Sequence, residues 1–320
     1  MADIALRETA RKPYQNLLDA GFKGLTWLFA LVVLALLAGV IVSLVMGAFP
    51  ALKTFGFGFL ASDSWNPVTE KFGALPAIYG TVVTSMIAML IGIPVAFGIA
   101  IFITELSPAW LKRPLGTLIE LLAAIPSIIY GIWGLFVLAP LLQETVQPFL
   151  IDTLGELPLV GSLFGGPPLG IGVFSAGIIL GIMVLPFICS VMRDVFETVP
   201  PMLKESAYGL GSTTWEVMWN IVLPYTRVGV IGGIMLGLGR ALGETMAVTF
   251  VIGNAHKIKA SLLAPGTTIS ATLANEFTEA VGDTYISSLF ALGFILFVIT
   301  FLVLSAAKLM LLKLDKRAGA

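Results

Sequence analysis

The chain has 320 residues, of which 58% are hydrophobic and only 12% are charged, and its mean hydropathy is +0.99. Soluble domains carry about 25% charged residues, so this composition excludes a soluble globular protein and indicates an all-α membrane protein. The net charge of −1 gives no support for a nucleic-acid partner, and the single cysteine, Cys189, excludes an internal disulfide. No Gly-Lys dipeptide occurs, so the chain lacks a phosphate-binding P-loop and any ATP hydrolysis must come from another chain.

Six apolar stretches are long enough to cross a bilayer, for which about 20 residues are needed. They are predicted at 25–46, 76–104, 115–139, 171–192, 226–252 and 285–307. The first exceeds a signal-peptide core of about 7–15 residues and is predicted to be a retained extra span before a five-span core at 75–307. Polar tails are predicted at 1–24 and 308–320. The Pro- and Gly-rich segment 140–170, and the polar segment from the fifth span to about Thr284, are predicted to be loops.

The basic residues predict the orientation of the spans, because cytoplasmic segments carry the excess of Lys and Arg. With the N-terminus inside, the inner segments hold 13 of the 18 basic residues and the outer loops hold 4. The 13 are Arg7, Arg11, Lys12, Lys23, Lys112, Arg113, Arg193, Lys204, Arg227, Lys308, Lys313, Lys316 and Arg317, and the 4 are Lys53, Lys71, Lys257 and Lys259. Both termini and the segment between the fourth and fifth spans are therefore predicted to be cytoplasmic.

That cytoplasmic segment, 193–225, has the features of two short helices joined by a bend. Gly209 and Gly211 interrupt the first helix, and Thr213 followed three residues later by Glu216 predicts a capping box at the start of the second. The second helix is expected to stop at Pro224. Its aromatic residues would face a soluble partner. The alternative is an ordinary amphipathic segment lying on the lipid surface.

The spacing of residues in this segment favours the partner surface. It resembles the coupling-loop signature of importer-type ABC permeases, Glu-Ala-Ala, three residues, Gly, nine residues, Ile-x-Leu-Pro. The matching residues here are Glu205, Ser206, Ala207, Gly211, Ile221, Leu223 and Pro224, with Ser206 in place of the first alanine. The resemblance implies that these residues dock a separate ATPase.

The fifth span contains two features of its own. Gly229, Gly233 and Gly237 recur every fourth residue, a small-residue ridge that predicts close packing against another helix. Arg240 lies about 21 Å along the helix from the start of the span, and Glu244 is expected on the same helix face. A charge at this depth is costly and must face protein or water. The pair is interpreted as an anion station in a substrate path, and the alternative is a structural ion pair.

Three longer stretches resemble the PstC family, a membrane subunit of bacterial phosphate ABC importers. They are RPLGTLIELLAAIPSIIYGIWG (113–134), VMRDVFETVPPMLKESAYGLGSTTWEV (191–217) and GGIMLGLGRALGETMAVTFVIGN (232–254). The resemblance implies a type I (MetI-like) permease of the inner membrane that transports inorganic phosphate along a path including Arg240 and Glu244. It also implies three partners: the permease PstA, two copies of the ATPase PstB and the periplasmic phosphate-binding protein PstS. ATP and magnesium would be used by the ATPase, and this chain would bind no cofactor.

Two alternatives stay open at this stage. An ion-coupled secondary transporter would also use an intramembrane Arg–Glu pair, and an importer of another oxyanion, sulfate or molybdate, would share the same physical features. An intramembrane enzyme is not expected, because the spans contain no His and no nucleophile–base arrangement or metal-ligand cluster. The single histidine, His256, lies in a polar loop, where a solvated side chain is the expectation.

Overall fold

The structure, a computed structural model, describes residues 13–158 and 160–318, with side chains described for 18–158 and 160–312. Within these ranges the regular secondary structure is helical, apart from one isolated backbone bridge between Asn66 and Lys71. Six stretches are helical, long and apolar enough to cross a membrane: Leu18–Phe55, Leu75–Leu106, Ser127–Leu154, Val173–Glu197, Thr214–Gly243 and Asp283–Leu312. The predicted six-span all-α fold is confirmed. Arg7, Arg11 and Lys12 of the predicted N-terminal tail lie outside the described residues.

Most of the helices follow one another with short connections, and longer segments at 62–74 and 252–268 separate α2 from α3 and α13 from α14. The first half contains α1 (Pro13–Phe55), α2 (Gly58–Ala61), α3 (Leu75–Ile101), α4 (Ala109–Ala124), α5 (Ser127–Trp133), α6 (Ala139–Leu141), α7 (Gln147–Leu154) and α8 (Gly161–Phe164). The second half contains α9 (Val173–Glu197), α10 (Pro201–Gly209), α11 (Thr214–Val217), α12 (Leu223–Gly243), α13 (Met246–Val251), α14 (Ile269–Glu276) and α15 (Asp283–Ala318). Four π-helical segments lie at Phe102–Leu106, Gly134–Leu138, Leu142–Val146 and Met218–Val222.

The fourth span, α9, lies at the centre of the bundle. Its most apolar window is 67% buried, against 33% or less for the other spans. Small residues bring neighbouring helices close to it, since a Cβ on Gly177 would lie 2.5 Å from Ile87 of α3 and one on Gly181 would lie 3.2 Å from the Ala88 carbonyl. A helix that is apolar on all sides is expected to be enclosed by others, and α3, α4 and α12 enclose this one.

The extra first span packs against the bundle only near its C-terminal end. Ala48 and Ala51 are fully buried in a second apolar cluster with Phe59, Leu289 and Leu292, which belong to α2 and α15. The earlier turns of α1, from Leu25 to Leu37, leave their large apolar side chains exposed. Such exposure is natural for a lipid-facing helix, because lipid tails are as apolar as these side chains.

The predicted third span, 115–139, is wrong. Helix α4 ends at Ala124, Ile125 and Pro126 have extended backbone (ψ 128° and 136°), and the helix that follows runs from Ser127 to Leu154. The cause is Pro126, because a proline disfavours the helical conformation of the preceding residue. The predicted loop 140–170 therefore begins only after Leu154.

Pro94 and Pro186 lie inside continuous α-helices, whereas four other prolines each follow a π-helical segment. Each of the four π segments ends two residues before a proline, namely Pro108, Pro140, Pro148 and Pro224. In a π turn each carbonyl bonds to the N–H five residues on, so the carbonyl four residues before the proline does not need the N–H that proline lacks. The helix continues past Pro140, Pro148 and Pro224, and it ends before Pro108. The predicted helix stop at Pro224 is accordingly wrong, and one helix runs through Thr214–Gly243.

Candidate functional site

The segment between the fourth and fifth spans begins with a short helix that ends at a glycine in the left-handed region. Pro200 is extended and Pro201 occupies the first helical position of α10. At the other end the Leu210 N–H donates to the carbonyls of Ser206 and Ala207, each at 3.1 Å. Gly211 follows with φ +88°, a conformation that residues with a Cβ rarely adopt. The turn at this position of the motif therefore requires glycine.

The capping box predicted at the start of the second helix is confirmed. The Thr213 N–H donates to Glu216 Oε2 at 2.8 Å, and the Glu216 N–H donates to Thr213 Oγ1 at 3.4 Å. These two bonds serve free backbone donors at the helix start. The helix then passes through the π segment Met218–Val222 into α12 without a break. A movement of this segment is therefore transmitted directly to the fifth span.

The segment has a buried side and an exposed side. Ala207, Val217, Met218 and Val222 pack into the bundle, each at most 7% exposed. Large apolar side chains stand on the other side, and these are Met202, Leu210, Trp215 and Trp219. Exposed apolar groups of this size on a polar segment are typical of an interaction surface.

The residues of the coupling-loop resemblance are divided between these two sides. Glu205, Ser206, Gly211 and Pro224 are exposed, Ala207 is buried, and Ile221 and Leu223 are partly buried. The carboxylate of Glu205 makes no hydrogen bond or ion pair within the described residues. It is free for a group on another protein.

The glycine ridge of the fifth span lies against the central helix. A Cβ on Gly229 would lie 2.6 Å from Val195 Cγ1, one on Gly233 would lie 3.0 Å from Val191 Cγ1, and one on Gly237 would lie 2.5 Å from Ile188 Cγ1. All three neighbours are on α9. Real Cβ contacts under 3.0 Å are essentially unknown, so α12 approaches α9 this closely only because these positions are glycine.

Arg240 lies in the last turn of α12, where its charge complements the negative end of the helix dipole. Its guanidinium carbon is 4.2 Å from the centre of the Phe187 ring on α9, a cation–π contact. The Nε atom is buried and has no hydrogen-bond partner. Because a buried N–H without a partner is costly, this atom marks a place where an anion would be favoured.

Glu244 does not share a helix face with Arg240, and that expectation is wrong. Helix α12 ends at Gly243, and Glu244 has extended backbone (φ −70°, ψ 133°). Its Oε1 accepts the Ala247 N–H at 3.3 Å, so it serves the first turn of α13. No ion pair joins Arg240 to Glu244 among the described residues. The fifth span is therefore two helices separated at Glu244 and Thr245.

The start of the third span lies beside the break in the fifth span. The extended residues Ile125 and Pro126 join α4 to the third span, and the Leu122 carbonyl that Pro126 cannot serve accepts the Tyr130 hydroxyl at 2.8 Å. Helix α5 then packs on α13, since a Cβ on Gly131 would lie 3.1 Å from the Met246 carbonyl oxygen. Irregular backbone within a span, such as that at Glu244 and Thr245, occurs where it is enclosed by protein or lines a cavity, and discontinuous helices are typical of transport sites.

Sequence reasoning missed two parts of this site. Phe187 has no signal of its own in an apolar span, although it directly follows Pro186. The break at Glu244 and Thr245 was also missed, although a run of three glycines in seven residues, Gly237, Gly239 and Gly243, weakens the helix before it.

The outer side holds a polar cluster that was predicted as solvated loop. His256 Nε2 is 2.7 Å from Glu276 Oε1, and the Trp65 indole N–H and the Tyr285 hydroxyl donate to Glu276 Oε2 at 2.6 and 2.8 Å. The His256 ring also stacks on Trp65. The predicted solvated histidine is thus wrong, because Glu276 at the end of α14 provides a partner that is 20 residues away in sequence. This cluster joins four parts of the chain, namely the segments 62–74 and 252–268 and the helices α14 and α15.

Comparison with known proteins agrees with this geometry. Residues 92–316 match the family described as "Binding-protein-dependent transport system inner membrane component". The "Phosphate transport system permease protein PstC" of Mesorhizobium japonicum is 65% identical over 304 residues, which cover 95% of this chain and 93% of that protein. The protein of the same description from Pasteurella multocida is 58% identical and covers 95% of each chain.

Solved structures show the same fold. A chain of a bacterial alginate ABC transporter covers 91% of this chain and 95% of its own length, with TM-score 0.59 and 18% identity. A chain of the MetNI methionine ABC transporter covers 76% and 94%, with TM-score 0.52 and 15% identity. The relatives are transport permeases and not enzymes. This chain belongs to the family of binding-protein-dependent transport system inner membrane components, the multi-pass membrane subunits of ABC importers.

Proposed function

We propose that this chain forms half of the translocation path of an ATP-driven importer of inorganic phosphate. The observation that carries the proposal is Arg240, a partly buried side chain whose Nε is buried without a hydrogen-bond partner just before the break in the fifth span. Phosphate as the substrate is supported by relatives named as phosphate permeases that match almost the whole chain.

Arg240 is the group that receives the anion in this proposal. A guanidinium presents several N–H donors in a fixed fork, which suits the oxygens of a tetrahedral oxyanion. Phe187 holds the guanidinium by the cation–π contact and uses none of its N–H groups. The site therefore keeps its donors available while the side chain is held in position.

Glu244 has the opposite role. Its carboxylate follows Arg240 at the broken end of the fifth span and bonds to the start of α13. A negative charge near the path opposes long retention of the anion, so that phosphate leaves after each cycle. Binding that is strong enough to enter and weak enough to leave is the requirement of any transport path.

The proposed partners rest on the relatives named as PstC, and features of this chain support the ATPase among them. The exposed side of 205–224 is proposed to dock an ATPase, PstB in two copies, which would use ATP and magnesium; this chain would bind no cofactor itself. The partner permease PstA would complete the path, and the periplasmic protein PstS would deliver phosphate. The absence of a P-loop in the sequence supports the placement of the nucleotide site on another chain.

The experiment is reconstitution of the chain with PstA and PstB in vesicles, with PstS and labelled phosphate outside. The proposal predicts phosphate uptake that stops when ATP is removed and continues in the presence of an uncoupler. Uptake driven by an ion gradient without ATP would contradict the importer and support a secondary transporter. Competition by excess sulfate or molybdate, but not by phosphate, would contradict the assigned substrate.

A further inference from the structure

The segment 193–225, called the coupling segment below, continues into the fifth span and also contacts the end of the second span. Lys204, which directly precedes Glu205, lies with its Nζ 2.5 Å from Glu105 Oε1 at the end of α3. The two side chains are 18% and 7% exposed, so the ion pair is largely removed from solvent. Breaking such a pair leaves one charge buried without a partner, which makes buried pairs far more consequential than surface pairs.

The end of α3 is built to receive this contact. Glu105 lies in the π segment Phe102–Leu106, and Pro108 follows two residues later. The carbonyl four residues before Pro108 belongs to Thr104, and it accepts the ammonium of Lys112 from α4 at 2.5 Å. Helix α4 thus fixes the backbone beside Glu105, so this end of α3 is a firm point of attachment.

A second contact ties α3 to the same segment two turns deeper. Phe97 of α3 lies 6.2 Å from Trp219, measured between ring centres, and 5.9 Å from Phe196 of α9. Trp219 belongs to the π segment that leads into α12. Two independent contacts therefore join α3 to the coupling segment, one polar and one aromatic.

The middle of α3 lies beside α12, one turn before Arg240. The Met89 methyl group lies 3.9 Å from where a Cβ on Gly237 would stand, one turn of α12 before Arg240. Glu105 and Met89 are 16 residues apart, about 24 Å along the α3 helix. Helix α3, which contains Pro94, and the π segment after it thus span the distance between the coupling segment and the neighbourhood of Arg240.

We propose that the Lys204–Glu105 ion pair is a positioning contact that transmits movement of the coupling segment to α3, and through α3 to the helix that carries Arg240. The inference rests on the proposed function as an ATP-driven permease. In this arrangement the ATPase moves two spans together, α12 by direct continuity and α3 by the ion pair. Both helices then move where they meet, at the contact between Met89 and Gly237.

Charge reversal in the reconstituted complex tests the proposal, with phosphate imported per ATP hydrolysed as the readout. Glu105→Lys and Lys204→Glu are each expected to lower this ratio by at least about fivefold, the lower end of typical site-to-site coupling, while the ATPase still co-purifies. The double variant restores the pair with its charges exchanged. Its ratio is expected to return to within about twofold of wild type, because neighbouring sites couple.

The control is Glu197→Gln, which removes an exposed carboxylate at the cytoplasmic end of α9 and is expected to leave the ratio unchanged. If the reversals do not assemble, Glu105→Gln carries the test, since it keeps the shape and removes the charge. An unchanged ratio in Glu105→Gln, or a double variant no better than the single ones, would overturn the inference. If the wild-type complex imports another oxyanion, the assigned substrate fails and the same ratio is measured with that anion.

Discussion

The closest helix contact in the fifth span gives a matched pair of substitutions, Gly237→Ala and Gly232→Ala. Both residues lie in the interior of α12, so alanine gains about 1 kcal/mol of helix propensity over glycine at either position. A Cβ at Gly232 meets nothing within 4 Å, whereas one at Gly237 lies 2.5 and 2.7 Å from Ile188 Cγ1 and Cδ1. Ile188 is fully buried and has no room to turn away.

Overpacking of this kind costs about 1–3 kcal/mol. Gly232→Ala is therefore expected to raise the stability by up to about 1 kcal/mol, and Gly237→Ala to lower it by about 0–2 kcal/mol once the propensity gain is offset. Thermal unfolding of the detergent-solubilised chain, followed by tryptophan fluorescence, measures both against wild type. A Gly237→Ala variant as stable as Gly232→Ala would refute the close packing of α12 on α9.

Two further predictions concern the coupling turn and the outer cluster. Gly211→Val places a β-branched residue at φ +88°, at a strain cost of about 1–3 kcal/mol; co-purification of the ATPase should fall, while Gly209→Val, in α10 beside it, serves as the control for bulk. Burial raises the pKa of the Glu276 carboxyl, but hydrogen bonds from His256, Tyr285 and Trp65 outweigh it and hold the pKa below its ordinary value. The stability that Glu276 contributes is therefore present above the ordinary pKa and lost as the pH falls through the lowered one. The unfolding temperature of wild type should drop over this acidic window, and a Glu276→Gln variant with the same drop would contradict the assignment.

The sequence predicted the number of spans and the coupling segment because these depend on local patterns. Apolar runs need only length, and the capping box at Thr213 needs only two residues three apart. Helix boundaries at prolines were not predictable in the same way. Pro126 ends a helix, whereas the helix continues past Pro224 after a π turn, and no propensity reveals that turn.

The surroundings of Arg240 were also only partly predictable from local patterns. The distance of Arg240 along its helix was readable from residue counting, since a helix rises by a fixed step. Its neighbour was not, because Phe187 is 53 residues earlier and reaches Arg240 only through the packing of α9 on α12. His256 and Glu276 were missed for a related reason: their contact depends on α14 folding back within an apparent loop.

The most direct test of the account is phosphate uptake by the Arg240→Gln complex. The variant removes the guanidinium and leaves a shorter, uncharged polar side chain, and a lost charge-assisted contact of about 1.5–3 kcal/mol predicts at least about a tenfold loss of uptake. Recovery of the complex with its ATPase at wild-type yield shows that assembly is intact. Uptake near zero in an assembled complex is the predicted result. Wild-type uptake by the assembled Arg240→Gln complex would contradict a phosphate path through this site.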